Sequence, residues 1–187
     1  MTKYLFKNEV ISIPNGCEVT MKDKVFTFKG PLGEQSYDAN RFNFTFILEN
    51  NQIEIQSWHG NQKKNDLLYT VASHLKNNAK GVITGYRFVV KAIYLKFTIQ
   101  MVVEKDKKEI IVKNYYGNKQ PKIFPIIGNT TATIGEDKDI LIIEGINLED
   151  VSQTAANIEN WTRKMKMYDP RVFLDGIFII ERGEKVC

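Results

Sequence analysis

The chain has 187 residues, 43% hydrophobic and 26% charged, with a net charge of +4. That is room for one soluble domain or two small ones, and the overall charge is too slight to mark a nucleic-acid binder by itself. The opening MTKYLFKNEVI holds no apolar run of signal-peptide length, and no stretch approaches the roughly 20 apolar residues of a membrane span, so a cytosolic protein with no membrane partner is expected.

In the first half the side chains alternate. Cys17, Val19 and Met21 interleave with Glu18, Thr20 and Lys22; Val25 to Lys29 is β-branched and aromatic; Phe42, Phe44, Phe46 and Leu48 form another series; Ile53 and Ile55 a fourth. Period two with polar partners predicts half-buried antiparallel strands. Turn residues separate them at Pro14-Asn15-Gly16, Gly30-Pro31 with Gly33, and Asn50-Asn51. The period then changes. Leu68, Val71, Ala72, Leu75 and Ala79 share one helical face, with Asn61 as the expected N-cap and Gly81 just past the end.

The second half follows the same plan. Strands are expected at Phe97–Val103, Glu109–Lys113, Thr131–Ile134 and Ile140–Ile143, followed by a helix that Asn147 caps and that buries Leu148, Val151, Ala155 and Ile158. The two caps are 86 residues apart, and a Val25–Lys29 strand with Gly30 matches Val112–Tyr116 with Gly117 at an offset of 87. The expected fold is α+β: two tandem duplicated domains, residues 1–82 and 83–187, each an antiparallel sheet covered by one main helix.

Little in the chain supports catalysis. No GxGxxG, Walker loop, GxSxG or HExxH occurs, and neither His59 nor His74 has a nearby Cys or Ser in a nucleophile-like context. Cys17 and Cys187 read as free thiols, Glu136, Asp137 and Asp139 as a solvated turn with too few ligands for calcium. No metal, cofactor or small-molecule substrate is expected.

Charge distribution says more than its sum. Residues 85–122 hold nine lysines or arginines against three acids, 123–160 one against seven, and 161–187 six against four. Such segregation suits one face on a polyanion. Three stretches combine positive charge with glycine or aromatic residues. They are Lys29-Gly30-Pro31-Leu32-Gly33; Asn114 to Lys119, with Tyr115, Tyr116 and Lys119; and Arg163, Lys164, Lys166, Tyr168 and Arg171, followed by Arg182 and Lys185. Glycine lets a backbone approach a sugar-phosphate, tyrosine stacks on an unpaired base, and lysine or arginine holds phosphate. Arg171 follows Pro170, whose fixed φ stiffens the turn that aims it.

Six segments then carry a resemblance: KGPLG at 29–33, WHGN at 58–61, SH at 73–74, KGVITGYR at 80–87, LIIEG at 141–145 and DPRVFLDGIF at 169–178. In this order across the chain they resemble the universal large-subunit ribosomal protein six family, in its eukaryotic and archaeal branch. The resemblance implies a structural protein of the large ribosomal subunit, not an enzyme. It would bind large-subunit rRNA near the sarcin–ricin loop and the GTPase-factor site, beside neighbouring ribosomal proteins including the stalk base, with translational GTPases nearby. It would work in cytoplasmic ribosomes, with nucleolar assembly if eukaryotic. Lys164, Lys166, Arg171 and Gly176 would then belong to the rRNA-facing end of the second domain, and Lys29 and Gly30 to the matching hairpin of the first. EQSYD follows KGPLG where relatives tend to carry arginines, which implies weak RNA contact from the first domain's hairpins. The tail after Gly183 is short, which implies a smaller contact set. An extra-ribosomal or ribosome-assembly RNA-binding module is the alternative, and a small enzyme using Cys17 or His74 a more distant one.

Overall fold

The structure, a computed structural model, describes residues 4–49, 51–168 and 174–185. Asn50 of the expected turn, Pro170, Arg171 and Cys187 lie outside the described residues. The chain divides into two compact units, Met1–Thr84 and Gly85–Cys187.

The first unit runs β1 (Tyr4–Ser12), β2 (Glu18–Lys22), β3 (Val25–Gly30), β4 (Gly33–Asp38), β5 (Thr45–Glu49), β6 (Gln52–Gly60) and α1 (Gln62–Gly81). Its strands form two antiparallel three-stranded sheets, in the orders β1-β6-β5 and β2-β3-β4. Leu68, Val71 and Leu75, spaced three and four apart, are fully buried on one stripe of α1, which packs on β1, β4 and β6. Phe26, Phe28, Ile53 and Ile55 are buried with them, each contributing about 1.5–3 kcal/mol.

The second unit runs β7 (Tyr86–Ile93), β8 (Gln100–Glu104), β9 (Glu109–Lys113), a short 3-10 helix (Tyr115–Gly117), β10 (Lys122–Pro125), β11 (Thr131–Ile134), β12 (Ile140–Gly145), α2 (Leu148–Tyr168) and β13 (Gly176–Glu184). One sheet has the order β11-β12-β7-β13, the other β10-β9-β8. Val151, Ala155 and Ile158 of α2 join Val90, Leu141, Ile143 and Ile177 in one core. Asn147 caps α2 as expected: its Oδ1 accepts the Glu149 amide at 3.0 Å.

The pairing order of the first unit recurs in the second. β1-β6-β5 corresponds to β7-β12-β11, and β2-β3-β4 to β8-β9-β10, each set preceding a long helix. Among the described residues β13 has no counterpart in the first unit.

Several expectations need correction. Each unit holds two sheets rather than one. Gly81 is the last residue of α1, and Val82, in right-handed helical conformation, ends it. The Val112–Tyr116 segment is only partly strand. β9 stops at Lys113, Asn114 turns left-handed at φ 59°, and the 3-10 helix follows. β5 begins at Thr45, after Phe42 and Phe44.

Candidate nucleic-acid interface

The seam between α2 and β13 gathers charge from both elements. Glu159, Arg163 and Lys166 follow one another at helical spacing on α2, so they share a face. Glu159 is largely enclosed, its side chain 15% exposed, and its two oxygens serve two arginines. Arg163 Nη2 donates to Oε1 at 3.1 Å, and Arg182 Nη2, from β13, stands 3.9 Å from Oε2. Both guanidinium groups otherwise face solvent, at 71% and 65% side-chain exposure. In water each pair contributes at most about 1 kcal/mol to stability, so what this geometry fixes is where the two forks point.

A bulge in β13 sets which side chain meets Glu159. Ile179 pairs with Val90 and Glu181 with Val89, so Ile180 is the extra residue. Before the bulge the odd residues, Ile177 and Ile179, face the core under α2. The inserted residue reverses the alternation, so Arg182 rather than Glu181 meets Glu159. Without it a carboxylate would face a carboxylate.

Farther along the seam a cavity of about 190 Å³ opens between Arg163, Lys166, Asp175, Gly176 and Phe178. Asp175 is buried and accepts the Leu95 amide at 3.1 Å, which fixes the entry to β13. Lys185, near the other end of β13, is held by Glu144 at 2.8 Å, and Arg87 lies 3.8 Å from the same carboxylate.

The structure therefore brings together Arg163, Lys166, Arg182 and Gly176 of the residues expected from sequence. Lys164 is exposed one position round α2, and Lys119 is exposed in the turn where Gln120 donates to Asn118 Oδ1. Arg171 is outside the described residues. Lys29, in the first unit, is half exposed and faces Glu34 across its hairpin at 3.6 Å, so an acid of EQSYD offsets its charge.

Tyr115 and Gly176 are corrected as contact residues, and Gly30 also has a packing role in its own unit. Tyr115 is 3% exposed: its hydroxyl donates to the Thr162 carbonyl at 3.1 Å, and its ring lies 5.0 Å from that of Trp161. It is a core residue and offers no face to a base. Gly176 is buried, and a Cβ there would come within 2.9 Å of the Phe178 ring, so it serves the entry to β13 rather than an exposed surface. Gly30 is required by its own unit, because a Cβ would stand 2.6 Å from the Val82 carbonyl oxygen, which accepts the Leu32 amide. Tyr116 is half-buried at φ 53°, with its hydroxyl 3.5 Å from the Asp175 carbonyl.

Sequence reading missed Glu159, Thr162 and Asp175. Glu159 was recoverable, since a glutamate four residues before Arg163 is a favourable helical pair. The bulge that delivers Arg182 left no such signal.

Among the described residues, Cys17, His74 and Asp139 are occupied otherwise. Cys17 is buried, and burial pushes its thiol pKa up, away from the reactive thiolate. His74 stacks on Tyr37 at 5.8 Å. Asp139, of the acidic turn, accepts the Tyr94 hydroxyl at 3.1 Å, which raises the phenol's pKa.

A protein-family model described as Ribosomal protein L6 matches residues 13–85. The Large ribosomal subunit protein uL6 of Staphylothermus marinus is 38% identical over 178 residues, covering 95% of both chains. That of Desulfurococcus amylolyticus is 36% identical over 186 residues, covering 98% of this chain and 99% of its own. The fission yeast Schizosaccharomyces pombe protein uL6A is 31% identical over 184 residues, covering 98% and 96%. These relatives are named as ribosomal proteins, not enzymes, and identity of this extent over nearly the whole length means that the chain belongs to the uL6 family of large ribosomal subunit proteins.

Proposed function

We propose that the chain is a structural constituent of the large ribosomal subunit that binds large-subunit rRNA through the α2–β13 seam of its second unit. The observation that carries this is the fixed pair of solvent-facing guanidiniums, Arg163 and Arg182, on one enclosed Glu159, with Lys166 beside them. Planar forks held at a set spacing suit phosphate oxygens, and such contacts fix position without reading sequence. Lys164, exposed one position round α2, extends the set; Arg171 joins it only as an expectation from sequence. The resemblance adds the place: beside the sarcin–ricin loop and the GTPase-factor site, near the stalk base, in cytoplasmic ribosomes. The matching strand orders support a tandem duplication of one α+β plan, with the boundary near residue 82 and β13 added to the second copy.

Sedimentation of a tagged copy through a sucrose gradient, repeated after a high-salt wash, tests the reading. Salt-resistant migration with large subunits, monosomes and polysomes is expected. Confinement to pre-ribosomal fractions would instead assign the chain to assembly, and absence from ribosomal particles would overturn the proposal.

A further inference from the structure

Two aromatic rings stand exposed where β1 pairs with β6 in the first unit. Phe6 of β1 lies opposite Trp58 of β6, with ring centroids 4.5 Å apart. They are 42% and 54% exposed although they cover each other. Two adjoining aromatics exposed to this extent present a ring surface that a ligand could cover.

The surroundings restrict what it can be. The next rung on the same face is polar: Asn8 Nδ2 and Gln56 Nε2 both donate to Glu54 Oε1, at 3.0 and 3.1 Å. On this face of β1 the rung separates the rings from Val10, while exposed Leu5 points to the opposite face by strand alternation. The apolar surface is thus about the size of two side chains, far below the roughly 800 Å² per partner of a stable protein interface. A flat, small, aromatic surface matches a single planar ring.

Positive charge is pinned beside it. Lys64 Nζ donates to the backbone carbonyl of Trp58 itself at 3.0 Å, which ties the ammonium to the residue that carries the indole. Lys63 precedes it, and residues 55–65 contain no acid. The same stretch opens α1, whose first turn holds no acidic residue and whose N-cap, Asn61, makes no side-chain capping bond. The first helix hydrogen bond runs from the Asn65 amide to the Asn61 carbonyl, so the earlier amides of the turn carry the positive end of the helix outward.

We propose that Trp58 and Phe6 form a stacking platform for one unpaired RNA base, whose phosphate is held by Lys64 and the first turn of α1. This rests on the reading of the chain as an RNA-bound protein, and it gives the first unit a contact apart from the Lys29–Gly33 hairpin. Stacking tolerates any base, so the site selects unpaired over paired nucleotides rather than a sequence.

The test is titration of the full chain with a mixed-sequence single-stranded RNA of about a dozen nucleotides, followed by tryptophan fluorescence. Trp161 supplies a background from its packed position between the Tyr115 and Phe124 rings. Saturable quenching is expected, removed by Trp58→Phe and absent with the corresponding duplex. Lys64→Gln should weaken binding several-fold and make the fall of log affinity with log salt shallower by roughly 0.7, the single-strand value for one phosphate. Quenching that survives Trp58→Phe, equal quenching by duplex, or no quenching at all overturns the platform and leaves the rings to a protein neighbour. A chain that sediments with large subunits yet fails here loses only this inference; failure to sediment would speak against the function proposed above.

Discussion

Arg182 reaches Glu159 across the α2–β13 seam, 3.9 Å from the carboxylate that Arg163 also engages. The two arginines come from separate elements and owe their common direction to this acid. Replacing Arg182 with Gln removes one fork and leaves Glu159 bonded to Arg163. If Arg182 sits on a phosphate, the salt dependence of rRNA-fragment binding should become shallower by roughly one unit of log–log slope. Filter binding over a salt series reads this directly, and an unchanged slope takes Arg182 off the RNA.

Tyr115 provides the counter-test. Tyr115→Phe deletes the bond to the Thr162 carbonyl in the core and should cost about 1–2 kcal/mol, seen as a lower midpoint in urea. Once allowance is made for the folded fraction, its RNA affinity should match wild type. A selective loss of affinity with stability intact would restore Tyr115 to the interface.

These two residues show what was legible in the chain. Period-two and helical patterns were enough for most strands and both helices, because one face of each is buried and the other is wet. β7 escaped because YRFVVKAI is buried nearly throughout and shows no alternation. β1 escaped because Leu5, Phe6 and Val10 are apolar yet exposed, which blurs the period. Aromatic-plus-lysine composition pointed at Tyr115 and Lys119 alike. Only packing separates a tyrosine under α2 from a lysine in an open turn.

Gly30→Ala should destabilise the first unit by about 1–3 kcal/mol, since the new methyl would collide with a backbone carbonyl already engaged by Leu32. Thermal melting followed by circular dichroism measures it. A neutral result would mean that β3 and the Val82 turn shift apart freely, which would return Gly30 to consideration as a ligand-facing glycine.

Tyr86 gives the fold an alkaline limit. Burial, with Glu184 adding repulsion, raises its phenol from 10.0 to about 12. A pKa raised on folding contributes stability that is complete below the ordinary value and is lost as pH climbs through the folded one. Stability should therefore fall between about pH 10 and 12, and Tyr86→Phe should flatten that part of the profile. Urea midpoints across this window decide the matter; an unaltered profile would place the titrating group elsewhere.

β13 also bears on the order of events during synthesis. The first unit closes both of its sheets with strands that have all been made by Gly60, and its helix follows at once. In the second unit β7 waits for a partner more than 80 residues downstream, because Gly176 pairs with Ile93 and Glu184 with Tyr86. Long-range pairings of this kind form late. Until β13 docks, Arg182 has no Glu159 to meet, and Arg163 of α2 lacks the second guanidinium that shares its carboxylate. If this seam is the rRNA contact proposed above, specific attachment is tied to completion of the second unit, and a nascent chain without β13 lacks it.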